Sequence, residues 1–187
     1  MEEEKTLKQS ILELVRFAVI ALLIVVPIRL FIIEPFVVSG SSMFPTFENA
    51  DYLIVDKFSY EIGNPKRDDV VVFKYPNDTT KYFIKRVIGL PGDTVDISGS
   101  EITITNGTHK NGFILEEPYV KNMSDDQAHF VLKENEYFVM GDNRTASSDS
   151  RYWGPVERDL FVGRAFLRLM PFNNIDIFPG NYKQIES

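Results

Sequence analysis

Apolar and polar positions divide the chain into two unlike parts. Phe17 to Ile28, "FAVIALLIVVPI", is uncharged; Arg29 interrupts, and "LFII" continues the apolar run to Ile33. As a helix rising about 1.5 Å per residue, that run approaches the roughly 30 Å of a bilayer core. Pro27 is tolerated in a membrane helix, and Arg29 near one end can extend its stem to the headgroups. A cleaved secretion leader and a buried core helix are the competing readings, and the first lacks a small-x-small site at a suitable distance. After residue 45 the period becomes that of strands. "YLIVDKF", "DVVVFKY", "KYFIKRVIGL", "TVDI", "EITIT", "EYFVMG" and "LFVGRAFLRL" are β-branched or aromatic runs. Segments such as "NPKRDD", "PGD" and "NGTHKNG" separate them with turn chemistry. No helical periodicity recurs beyond the N-terminus. The pattern predicts one N-terminal transmembrane helix and a mainly antiparallel β body, a barrel or sandwich.

Charge sets the expected orientation. Lys5, Lys8 and Arg16 lie before the span, and no Lys or Arg occurs from Glu34 to Leu53. The positive-inside bias then places residues 1–14 in the cytoplasm, 15–35 in the membrane and 36–187 outside. Overall the chain carries a net charge of −7 and a pI near 4.9, with no basic patch, so nucleic acid is not an expected partner. There are no cysteines, which excludes disulfides, thiol catalysis and cysteine-ligated zinc. Only His109 and His129 are present, each in a polar or turn-like stretch, so neither a metal site nor a histidine base is expected.

"VVSGSSMFPTF", residues 37–47, follows the span with three serines and a glycine. It is either a polar linker or the carrier of a nucleophile, and a serine needs a base to act near neutral pH. Without a suitable histidine, the candidate is a lysine stripped of water, because burial lowers an ammonium pKa. Lys85 lies in "YFIKRVIGL" and shares a strand face with Phe83 and Val87, while Arg86 points the other way. An edge-strand lysine that discourages aggregation is the alternative reading. "GDNRTASSDSRYWG", residues 141–154, is either a long surface loop or a wall that orients such a lysine. Met43, Phe44 and Phe47 read equally well as lipid-facing or as core.

Taken together and in order, "SGSSMFPT", "DDVVVFKYP", "YFIKRVIGLPGD" and "GDNRTASSDSRYWG" behind a membrane span resemble the bacterial type I signal peptidases, in their compact single-span form. The resemblance covers nearly the whole chain. It implies an antiparallel β catalytic domain of the signal-peptidase/LexA-like β fold, with Ser42 as nucleophile and Lys85 as general base. It also implies Ser147 orienting the lysine, with Asp149 and Arg151 as a supporting charged pair that Asp142 and Arg86 extend. The implied activity is a serine endopeptidase that removes signal peptides from exported preproteins at small-x-small sites, through an acyl-enzyme, with no cofactor and no metal. The implied location is the bacterial cell membrane, with lipid as a partner. Where some members carry a serine two positions before the nucleophile, this chain has Gly40, so backbone N–H groups are expected to hold the oxyanion. A self-cleaving Ser-Lys repressor of the LexA type and a non-catalytic membrane-anchored β module are the alternatives. The apolar span, where such a repressor carries a DNA-binding or regulatory domain, argues against the first.

Overall fold

The computed structural model describes residues 7–182. Lys5 of the charge bias and residues 183–187 of the outer segment lie outside the described residues, as do the side chains of Leu7, Lys8 and Leu30.

Helix α1 spans Leu7–Pro27, and its apolar stretch Gln9–Pro27 has no buried residue. From Phe17 onward the helix is oily all round and unburied by its own chain, which suits lipid. A π-helical turn follows at Ile28–Ile32, where the Ile33 N–H donates to the Ile28 carbonyl. Strand β1 then runs Ile33–Val37. The apolar run read from sequence as one span therefore ends in a strand. The reason is Pro35, which disfavours helical backbone at Glu34 and itself suits an edge strand.

The remaining strands are β2 (Tyr52–Asp56), β3 (Val70–Tyr75), β4 (Asp78–Gly89), β5 (Thr94–Gly99), β6 (Glu101–Thr105), β7 (Phe113–Ile114), β8 (Asp126–Val131), β9 (Glu136–Met140), β10 (Val156–Glu157), β11 (Phe161–Met170) and β12 (Asp176–Ile177). They form two sheets, ordered β1-β2-β11-β3-β4-β9-β10, with β12 beside β11, and β7-β6-β5-β8. Every strand pair in these sheets is antiparallel, as the sequence pattern predicted. All seven predicted strands are present. β8, "DQAHFV", escaped the sequence reading because three of its six residues are polar and only Ala128 and Phe130 bring apolar side chains to the inner face; it pairs with β5 along its length. Two short helices, α2 (Phe58–Ile62) and α3 (Ser150–Trp153), are too brief to leave a 3.6-residue period.

The core has three parts. Ile88, Phe138 and Met140 of the large sheet pack against Val95, Ile97, Ile102 and Ile104 of the small one. Val71, Phe73, Val87 and Val139 form a second cluster under Tyr60 and Phe161. The third joins Val38, Met43, Phe47, Leu53, Val70 and Ala165. Met43 and Phe47 are 1% and 0% exposed, so they are core residues, and only Phe44 of that trio reaches the surface. The turn that follows β1 is thus nailed to the large sheet by its own apolar side chains. β3 is buried on both faces from Val70 to Phe73 because clusters two and three lie on either side of it.

Candidate active site

Two free strand edges face each other across a groove of about 470 Å³. One is β1, which pairs only with β2. The other is the first part of β4, since β9 joins β4 only from Arg86 onward. The rings of Phe36 and Tyr82 meet across the groove with centroids 5.3 Å apart. Ser42 and Lys85 lie on its wall, with apolar Val38, Leu53, Val72 and Ile84 around them.

Lys85 sits where β4 passes from solvent into the core and is 4% exposed. Its Nζ donates to Ser42 Oγ at 2.8 Å and to the Ile84 carbonyl at 2.9 Å. The Phe83 ring centroid lies 5.3 Å from Nζ, and Tyr75 stacks on Phe83. Burial pulls the Lys85 ammonium down from 10.5 to about 8, and the carboxylates of Asp149 and Asp142 pull weakly the other way. The ring would favour a cation, but the net direction is toward the neutral amine. Loss of water therefore outweighs that attraction. The edge-strand reading of Lys85 does not fit this environment.

The segment 141–154 is a wall of the site and not a free surface loop. Asn143 donates its backbone N–H to the Ser42 carbonyl at 3.0 Å and its Nδ2 to the Ser41 carbonyl at 3.1 Å. Asp149 and Arg151 form a two-bond pair at 2.8 Å each, and Asp149 also accepts the Gly141 N–H. Arg151 reaches further, to Ser124 and Asp126. Arg86 and Asp142 form a second two-bond pair, wholly buried, and Thr46 of the nucleophile turn donates to Asp142. Ser147 is buried beside Gly141 and the Ser42 carbonyl, but its Oγ makes no hydrogen bond, so the expected bond to Lys85 is not formed. Asn143, Thr46 and Gly141 went unassigned in the sequence reading. Asn143 and Gly141 stand inside a segment it singled out, but their roles depend on a partner about 100 residues away. Among the described residues, no three His, Cys, Asp or Glu side chains gather as a metal site.

Gly141 has no room for a side chain. A Cβ there would fall inside contact distance of both Ser147 Oγ and the Ser42 carbonyl. Gly141→Ala is expected to push the nucleophile turn away from Lys85 and lower kcat by about a hundredfold, the scale of a 1 Å misplacement. Unchanged kcat in a folded Gly141→Ala protein would show that the turn has slack.

An apolar groove with a hydroxyl facing a dehydrated amine, on an antiparallel β body behind an oily helix, is the layout of a membrane-anchored serine hydrolase. A profile of the signal peptidase, peptidase S26 family matches residues 11–170. The chain is 36% identical over 183 residues to a probable signal peptidase I-2 of Synechocystis sp., covering 94% of this chain and 81% of that one. It is 36% identical over 189 residues to signal peptidase I P of Bacillus subtilis subsp. natto, covering 94% and 98%. A crystal structure of a signal peptidase I from Enterococcus faecalis V583 is 31% identical, with a TM-score of 0.46, covering 55% of this chain and 97% of that one. The chain belongs to the signal peptidase, peptidase S26 family and is a serine protease of that kind.

Proposed function

We propose that this membrane-anchored enzyme cleaves signal peptides from exported preproteins with Ser42 as nucleophile and Lys85 as general base. The observation that carries this reading is the 2.8 Å contact between Lys85 Nζ and Ser42 Oγ on an apolar groove. In the active state the neutral amine donates to the Ile84 carbonyl and accepts the Ser42 hydroxyl proton. As that proton moves to Nζ, Oγ bonds to the scissile carbonyl carbon. The Ser42 N–H, which has no acceptor among the described residues, is placed to meet the developing oxyanion. The Lys85 ammonium then protonates the leaving amine, and an ester to Ser42 remains. Water, losing a proton to Lys85, hydrolyses the ester and restores the hydroxyl.

The substrate lies extended in the groove, adding a strand to one or both free edges. The space beside Val38, Leu53 and Ile84 favours small side chains next to the cut. Asp149 and Arg151 brace the wall, and Ser147 is the hydroxyl within the wall that can receive the second N–H of the amine. Residues 15–32 cross the bilayer with the N-terminus in the cytoplasm, and the β domain works outside. The short tether from Ile33 keeps Ser42 close to the membrane that holds its substrate.

The test is a pH–rate profile on a purified preprotein. Because Lys85 must be neutral, the rate should climb with pH and level off above about 8, falling about tenfold per pH unit below that. Phe83→Ser admits water beside Nζ, raises the lysine pKa toward its ordinary value and should move the rise to higher pH. A flat profile from pH 6 to 10 would rule out lysine as the base.

A further inference from the structure

We propose that Arg168 is a positioning residue for Ser42: it clamps the turn that carries the nucleophile against the segment that follows β11, and so keeps the hydroxyl within reach of Lys85. The proposal rests on the reading that Ser42 and Lys85 do the chemistry.

Arg168 lies near the end of β11, opposite Leu53 of β2 and Asp176 of β12. Residues directly opposite on paired strands share a face, so its side chain lies on the same side as Leu53, in the core cluster beneath the nucleophile turn. It is 7% exposed, with its Cζ 5.6 Å from the Phe47 ring centroid. A buried guanidinium needs acceptors for its N–H groups, and each nitrogen here has one. Nη1 donates to the Thr46 carbonyl at 2.8 Å and to the Asp51 carboxylate at 3.3 Å. Nε donates to the Asn174 carbonyl at 2.9 Å, and Nη2 to Asn174 Oδ1 at 3.1 Å. One nitrogen therefore grips the turn while the other two grip the segment after β11.

The two grips on the turn both transmit to Ser42. The base of the loop is closed where the Val38 N–H donates to the Asp51 carbonyl and the Ala50 N–H to the Val38 carbonyl, each at 2.9 Å. Inside it the backbone winds tightly: the Phe44 N–H donates to the Ser41 carbonyl at 3.1 Å and the Phe47 N–H to the Met43 carbonyl at 2.9 Å. Thr46 ends that winding, and Arg168 takes its carbonyl as a basic side chain does at the end of a helix. A shift at Thr46 is thus carried through a hydrogen-bonded coil to the serine. Gly180 presses the same spot from outside. Its φ is +76°, and a Cβ there would fall 2.5 Å from Thr46 Cγ2.

The test uses the full chain in detergent, with an internally quenched small-x-small peptide as substrate and circular dichroism to confirm folding. Arg168→Lys keeps a cation for the buried Asp51 carboxylate but lacks the planar fork that spans turn and segment. Gly180→Ala removes no hydrogen-bonding atom and adds one methyl against Thr46. Each should lower kcat by at least about tenfold, part of the hundredfold that a 1 Å misplacement costs. KM should stay within about twofold, because the free edges of β1 and β4 are unchanged. Folded variants with kcat within threefold of the parent would make Arg168 a structural charge only and overturn the proposal. A raised KM with kcat unchanged would place the effect on the groove and also overturn it. If Arg168→Lys does not fold, Gly180→Ala decides by the same criteria. Ser42→Ala is run alongside, and its retaining turnover would overturn the nucleophile assignment itself, a result distinct from failure of the clamp.

Discussion

Ser42→Ala and Lys85→Arg should each lower kcat on a preprotein by about 10⁵- to 10⁶-fold while leaving the fold intact. The size is that seen when one member of a cooperating nucleophile–base pair is removed. In Ser42→Ala the amine keeps its place but has no hydroxyl to deprotonate. In Lys85→Arg a charge remains, yet a guanidinium does not release its proton at usable pH. The alternative role for Lys85, a cation that merely holds Ser42, makes the opposite forecast, since arginine would then serve. The double variant should be no slower than either single one, because each already stops the same proton transfer. Preprotein trimming followed by mass spectrometry measures all three. Turnover by Lys85→Arg within tenfold of the parent would remove the general-base assignment.

Asp142→Ala should be the most destabilising substitution in the site, by about 3–5 kcal/mol, because it leaves a buried arginine without its partner. Both side chains of the Arg86–Asp142 pair are 0% exposed. Arg86 spends Nε and Nη2 on Asp142 and Nη1 on the carbonyls of Asp68 and Gly180, with its Cζ 3.8 Å from the Tyr119 ring centroid. The Asp68 carboxylate also attracts the guanidinium, but more weakly than Asp142 does, and arginine stays charged. Thr46 also loses its acceptor, so the nucleophile turn loosens. By contrast, Asp78→Ala breaks an exposed pair with Lys81 and should leave stability nearly unchanged. Urea unfolding of the detergent-solubilised chain measures both. Replacing the pair together, Arg86→Met with Asp142→Leu, should recover part of the loss, since no charge is then stranded. An unfolding midpoint for Asp142→Ala equal to that of Asp78→Ala would show that water reaches Arg86.

The sequence by itself determined the elements whose signals are local. The oily run favoured a membrane-length helix over a leader or a core helix, although its last residues, Ile33 onward, turned out to be strand. The alternation in "YLIVDKF" or "EITIT" could only be half-buried strand, and "PGD" or "NGTHKNG" could only be turn. Those signals depend on neighbours within a few residues, so a single chain suffices to read them. The order of four motifs also led to Ser42 and Lys85 through family resemblance, ahead of any coordinate.

What the tertiary structure decided is everything that depends on residues far apart. Locally, Lys85 read as well for an exposed edge lysine as for a base. Its burial comes from Ser42, 43 positions earlier, folding over it on a turn pinned by Met43 and Phe47. Those two read equally as lipid-facing until clusters from β2, β3 and β11 enclosed them. Asn143 became a clamp on Ser41 and Ser42 only because its loop returns to the nucleophile turn. Ser147 stands beside that turn with its hydroxyl still unbonded. Dehydration and hydrogen-bond partnership arise when distant segments close around an atom, and no local pattern of hydrophobic and polar residues encodes which segments those will be.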